Sequence, residues 1–286
     1  MNTSTIEWTE VTWNPTSGCD RISPGCDHCY ALTLAKRLKA MGQPKYQTDG
    51  DPRTSGPGFG VRLHPNVLLE PLRWRKPQTV FVDSMADLMH AKVTVDFLAQ
   101  VWAVMALTPQ HTYQILTKRP ERYAHILDGS CRCGGGHLPG IDFRSLVQGH
   151  IRRLASDPGR EVDVLARWPL ENVWLGTSIE RDDYVHRADA LRAASATTRF
   201  LSLEPLLGPL PSLNLAGIDW VIVGGESGPG FRPLDLDWVR QIRDRCVGLG
   251  IPLFFKQVGG RTPKAGGREL DGRTWDQMPG SGGGQP

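Results

Sequence analysis

The chain has 286 residues, 40% of them hydrophobic and 22% charged, the balance of a globular protein rather than a disordered one. A net charge of +3 with a pI near 8.6 is too mild to argue for nucleic acid by itself. No run approaches the roughly 18 apolar residues of a membrane span, so no membrane role is expected, and the length suits one large α/β domain. The N-terminus lacks the basic and apolar regions of a signal peptide, which predicts a cytoplasmic protein. In that compartment thiols stay reduced, and clustered cysteines favour metal over disulfides.

Residues 6–13 carry Ile6, Trp8, Val11 and Trp13 and are expected to form a first strand, broken by the turn residues of 14–18. The stretch Cys19-Asp20-Arg21-Ile22-Ser23-Pro24-Gly25-Cys26-Asp27-His28-Cys29-Tyr30 follows. Three of the six cysteines fall within eleven residues here, spaced C-x6-C-x2-C. Three thiolates from one loop can hold an iron–sulfur cluster with one iron left open to a small molecule. They can equally hold structural zinc with a borrowed fourth ligand, either a distant cysteine or His28. His28 lies between Cys26 and Cys29 and would have to fold back into its own chelate loop.

Leu34, Leu38 and Met41 recur at helical spacing over residues 30–41, and Gly42 and Pro44 stop that helix. Residues 43–60, rich in Gly, Pro and charge, read as a long mobile loop, either a lid or a surface excursion. Short apolar strands ending in polar residues then alternate with helices. The strands are expected at 79–84, 111–119, 172–178, 199–204, 219–226 and 251–257, and the helices at about 94–107, 120–127, 181–194 and 235–247. Asp235 is a candidate cap for the last of these helices, with Gly248 and Gly250 beyond it. A longer gap holds an insertion at 129–168, whose Cys131-Arg132-Cys133 and His137 fall short of a full tetrahedral metal set. Residues 259–286 read as a Gly-rich flexible tail rather than a domain.

Strands alternating with helices imply a parallel sheet with right-handed crossovers. Ser84, Lys118, Ser178, Glu180, Glu204, Glu226, Ser227 and Lys256 all stand at carboxyl ends of strands, the rim where barrel active sites form. This favours an α/β fold with a single (βα) barrel, partial or complete and TIM-like, spanning residues 1–258. Candidate catalytic residues are Glu204, Lys118 and Lys256. Glu204 is either buried and acid-shifted or paired with Arg199 or Lys118. Lys256 is expected to face inward, in alternation with Phe254 and Val258. Candidate cofactor-binding residues are Ser84, Ser178, Gly224, Gly225, Glu226 and Ser227, the glycines offering an exposed backbone to a ligand or simply making a tight turn. No partner for His90, His111 or His125 can be named from the sequence, and they read as ordinary.

With these residues assembled, the chain resembles a phage-associated family of uncharacterised function, commonly labelled by phage gene products 37 and 68. That family looks like a divergent branch of the radical S-adenosylmethionine (SAM) superfamily. The matching blocks are Trp13-Asn14-Pro15 with the cysteine loop, 81–88, 115–122, 173–180, 200–207, 220–228 and 254–257. The resemblance implies a radical SAM-like barrel and a 4Fe-4S cluster on Cys19, Cys26 and Cys29. It further implies SAM as ligand and an electron donor such as flavodoxin or ferredoxin. Two departures stand out. Radical SAM enzymes usually space these cysteines C-x3-C-x2-C, and their Gly-Gly-Glu segment follows an early strand, whereas this one follows a late strand. The substrate is open, with a nucleic-acid-related molecule as one candidate. The alternative is a non-catalytic zinc-binding or nucleic-acid-binding module on the same barrel.

Overall fold

The computed structural model describes residues 4, 6–128, 142–155, 163, 165–262 and 265–280. Seven strands form the main sheet: β1 (Val11–Trp13), β2 (Thr79–Val82), β3 (Thr112–Thr117), β4 (Val173–Ser178), β5 (Thr198–Leu203), β6 (Trp220–Gly224) and β7 (Leu253–Gln257). They lie side by side in chain order, and every pair is parallel. The sheet curls into a half-barrel, open between β1 and β7. The helices of seven residues or more among the described residues are α1 (Tyr30–Ala40), α2 (Val95–Leu107), α3 (Glu121–Leu127), α4 (Phe143–Leu154), α5 (His186–Arg192) and α6 (Leu236–Leu249).

The continuous apolar strands serve two faces. Val80, Val82, Tyr113, Ile115, Leu175, Leu203, Val223 and Phe255 join the helix-side core, with Trp102 and Phe97 of α2 among the residues they meet. The other face carries a separate aromatic cluster of Trp8, Phe81, Phe200, Trp220, Ile222 and Phe254. Parallel register stacks this inner face in layers. Leu116, Gly176, Phe200 and Trp220 stand in one row, and Ser178, Ser202, Ile222 and Phe254 in the next. Two residues further along each strand, Glu180, Glu204 and Lys256 begin the rim. The half-barrel is therefore aromatic at its floor and charged at its mouth.

Local chemistry accounts for the helix ends. The Thr94 hydroxyl caps α2 by accepting from the Phe97 N–H at 3.3 Å, and Asp235 caps α6 through Asp237 at 2.9 Å. α4 belongs to the expected insertion, but its Phe143, Val147 and Ile151 are buried against α2, with Trp102 and Phe143 edge to face at 5.7 Å. Cys131, Cys133 and His137 lie outside the described residues.

Three expectations need correction. Residues 6–10 are not strand: the chain turns there, and Trp8 crosses to the inner face, meeting Phe81 at 4.8 Å and Trp220 at 6.0 Å. Burying that indole outweighs extending a three-residue edge strand. The tail beyond residue 258 is not loose throughout: residues 275–277 pair with β7. The Phe255 N–H donates to the Trp275 carbonyl at 2.8 Å, the Gln277 N–H to Leu253 at 3.1 Å, and the Trp220 indole N–H to Gln277 at 2.9 Å. These bonds satisfy the open edge of β7, which would otherwise expose a row of unpaired backbone groups. Residues 43–60 do not float either. Phe59 is buried with Ala31, Ala35 and Met85, which draws the segment over the cysteine loop.

Gly176 faces the fully buried Phe200 ring, and a Cβ there would overlap it. Gly176→Ala is therefore expected to destabilise the fold by about 1–3 kcal/mol through overpacking, read as a lower urea midpoint with unchanged slope.

Candidate functional site

The cysteine loop joins β1 to α1 and so emerges at the carboxyl rim, as the strand order requires. Pro24–Cys26 form one 3-10 turn, and Cys29 takes the N-cap position of α1. Cys19 and Cys29 are half-buried beside Ala31, Ala35, Phe59 and Met85. Burial pushes the Cys19 thiol up to about 12, with the Asp87 charge adding to it and the Arg119 guanidinium opposing. Burial also raises Cys29, against the pull of the nearby backbone N–H groups of Ala31 and Leu32 at the start of α1. The Cys26 sulfur is close enough to act electrostatically on both others.

Residues from four strand ends hold this loop. From β3, Arg119 donates to Cys19 Sγ at 3.4 Å and to the Asp20 carbonyl at 2.9 Å. From beyond β2, His90 pairs with Asp20 Oδ2 at 2.9 Å, while Thr54 and Ser55 donate to Asp20 Oδ1 at 2.7 and 3.0 Å. Burial works against the Asp20 charge, but these bonds outweigh it and hold the carboxyl below its ordinary range. From β4, Glu180 accepts from the Gly25 N–H at 3.2 Å and from Arg187 at 3.1 Å, with Lys118 Nζ at 3.8 Å. The Glu180 side chain is 0% exposed and Arg187 4%. Against the cost of burial, Lys118, Ser23, Arg187 and the Gly25 N–H keep the Glu180 carboxyl below its usual value. From β6, Glu226 accepts from Arg232 at 2.5 Å and pairs with His28 Nδ1 at 2.9 Å, and Arg232 donates onward to the Pro24 carbonyl at 3.0 Å. Burial opposes the Glu226 charge too, and the Arg232 and His28 contacts overcome it.

The expected site residues divide accordingly. Lys256 Nζ meets Glu204 Oε1 at 2.6 Å, so the partner of Glu204 is neither Arg199 nor Lys118. Arg199 instead donates to the Ala194 carbonyl at 2.8 Å, and Lys118 turns to Glu180. Ser84 donates to Asn14 Oδ1 at 3.0 Å, and Tyr30, 57% exposed, donates from its hydroxyl to the Ser84 carbonyl. Ser178 is buried and gives its carbonyl to Arg187. Gly224 and Gly225 are buried rather than exposed to a ligand: Gly225 packs so tightly on the Val258 carbonyl that no Cβ fits. Ser227 accepts from Gln257 at 2.8 Å. His90 does have a partner, in Asp20. Asp87, Asp20, Arg187 and Arg232 carry no sequence signal of a role at the site, though Asp87 lies just past a strand end. Arg119, which beside Lys118 reads as a contact for an anionic substrate or as a solvated helix start, is turned onto Cys19 and Asp87.

The family model described as protein of unknown function (DUF5131) matches residues 3–279. The chain belongs to this family. Searches of curated proteins and of solved structures find no match. The family description names no activity, so the chemistry has to be judged from the residues.

Among the described residues, no three His, Cys, Asp or Glu side chains gather closely enough to hold one metal ion. Tetrahedral zinc with Zn–S of about 2.3 Å needs its sulfurs roughly 3.8 Å apart, and no such gathering is present among the described residues. His28, the local candidate for a fourth zinc ligand, is held at Nδ1 by Glu226. A 4Fe-4S cluster asks for something different: each cysteine binds its own iron, and the thiolates spread over a larger frame. Three soft donors on one braced loop, with Arg119 and backbone N–H groups near the sulfurs, suit that chemistry. A separate open groove of about 520 Å³ runs past Pro24 and Arg232, lined by Leu207, Pro209, Pro211 and Trp238.

Two predictions follow from the buried carboxylates. Glu180→Ala leaves Arg187 buried without its partner and is expected to cost about 3–5 kcal/mol in chemical denaturation, with Glu180→Gln, still an acceptor for Gly25, losing less. Asp83 is buried beside β2, accepting from Thr16 at 2.6 and 3.0 Å, and burial pushes its carboxyl up to about 7. The folded protein then keeps a proton that the unfolded chain releases near pH ~4, so this residue's contribution to stability declines from there to about pH 7. Asp83→Asn, which tolerates the left-handed φ of 62°, is expected to flatten that decline in thermal melts taken from pH 4.5 to 8.

Proposed function

We propose that this chain is an iron–sulfur enzyme of radical SAM type, with a 4Fe-4S cluster on Cys19, Cys26 and Cys29 and SAM bound at the iron that has no protein ligand. The observation that carries the reading is three cysteines on one β1–α1 loop at the carboxyl rim of a parallel half-barrel, among the charged residues of its mouth. Sequence blocks that resemble the phage-associated, radical SAM-like family support it. When bound and reduced by one electron, from a donor such as flavodoxin or ferredoxin, the cluster supplies reductive cleavage of SAM and the carbon radical that removes hydrogen from substrate.

The chain's own part is to bind, orient and exclude water. Arg119, Glu180 and Arg232 hold the loop from three sides. Lys256 and Glu204, paired at the mouth, offer a cation and a carboxylate to a zwitterionic ligand that inserts between them. Ser84 and Ser178 stand at the ends of β2 and β4, on either side of β3, as candidate contacts for ribose or carboxylate. The aromatic floor of Phe200, Trp220 and Phe254 closes the far end of the half-barrel to water. Nucleic-acid-related molecules are the first substrates to screen.

The test is anaerobic reconstitution with iron and sulfide, followed by ultraviolet–visible and electron paramagnetic resonance spectra with and without SAM. A reducible cluster whose resonance changes on adding SAM, and which is lost in Cys26→Ala, is the expected result. One tightly held zinc and no cluster spectrum would overturn the reading.

A further inference from the structure

The three cysteines are not equivalent. Arg119 reaches Cys19 alone, its Nη1 donating to Sγ at 3.4 Å. The same nitrogen donates to Asp87 Oδ2 at 2.7 Å, and Nη2 donates to the Asp20 carbonyl at 2.9 Å. The fork is therefore held at both ends. Asp87 is itself locked: its Oδ1 accepts from the Thr117 hydroxyl at 2.6 Å and the Met89 N–H at 3.0 Å, and its Oδ2 from the Lys118 N–H at 3.4 Å. The Arg119 side chain is 18% exposed and Asp87 7%, so solvent screens the pair weakly. By contrast, the side-chain contact at Cys26 is the Ser23 hydroxyl at 3.9 Å, which is uncharged and long.

We propose that Arg119, oriented by Asp87, is a positioning residue that sets the reduction potential of the iron–sulfur group bound through Cys19. The inference rests on the cluster reading above. Reduction adds one negative charge to the cluster and its thiolates. A cation donating a hydrogen bond to a ligand sulfur stabilises that state more than the oxidised one and raises the potential. Asp87 does two opposed things. It fixes the guanidinium, and its own negative charge, one bond further away, offsets part of the cation's effect.

The two partners must therefore act with opposite sign, which a merely structural pair would not do. The experiment is a redox titration followed by electron paramagnetic resonance on reconstituted full-length protein without SAM. It compares wild type, Arg119→Met, Arg119→Lys and Asp87→Asn at one pH and equal iron content. Arg119→Met is expected to shift the midpoint to more negative potential. Asp87→Asn, which keeps Arg119 and an acceptor for Thr117, is expected to shift it to more positive potential. Arg119→Lys, with charge but no fork, should fall between wild type and Arg119→Met. If Arg119→Met assembles no cluster, the lysine and asparagine variants carry the comparison. Equal midpoints, or shifts of the same sign in the Arg119 and Asp87 variants, overturn this inference while leaving the cluster in place. A wild-type protein that takes up no cluster overturns the functional reading itself, a separate and distinguishable result.

Discussion

Seven parallel strands in chain order impose one consequence on everything else: every strand delivers its carboxyl end, and the loop that follows, to the same rim. Residues far apart in the chain, such as Pro24 and Arg232, 208 positions apart, meet because β1 and the later strands all open there. The register then sorts chemistry by depth. Rows containing Phe200, Trp220 and Phe254 exclude water at one end, while Glu180, Glu204 and Lys256 are left at the other. Charges placed beside such a floor are costly unless matched, and the structure matches them. Glu180 pairs with Arg187, Glu204 with Lys256, Glu226 with Arg232 and Asp87 with Arg119.

Those pairs also explain how an irregular loop keeps one conformation. The loop from Cys19 to Cys29 has little apolar side-chain surface of its own to bury. Its backbone ordering is offset instead by directed bonds to the Asp20 carbonyl, the Gly25 N–H and the Pro24 carbonyl, each made by a charged side chain from a different part of the rim. The segment around Thr54, Ser55 and Phe59 closes over the loop from outside. Cys246, buried on α6 within the helix-side cluster, behaves as an ordinary small apolar residue.

The sequence by itself determined the alternation of strand and helix, the cap at Asp235, and the gathering of polar residues at strand ends. These are written in local periodicity and in side chains that bond within a few residues of themselves. It also determined that three cysteines share one loop, and which strands carry Lys118, Glu204, Glu226 and Lys256. Only the tertiary structure decided who meets whom. Glu204 chose Lys256 over Arg199 or Lys118, His28 turned away to Glu226, and Arg119 rather than any nearer residue came to rest on Cys19. The glycines before Glu226 were likewise settled by the approach of the Val258 carbonyl, and the Gly-rich tail by the unpaired edge of β7. The physical reason is the same in each case. Spacing along a chain records which bonds close a local turn, whereas a partner from another strand is set by the curvature and register of a sheet that exists only once all its strands have assembled.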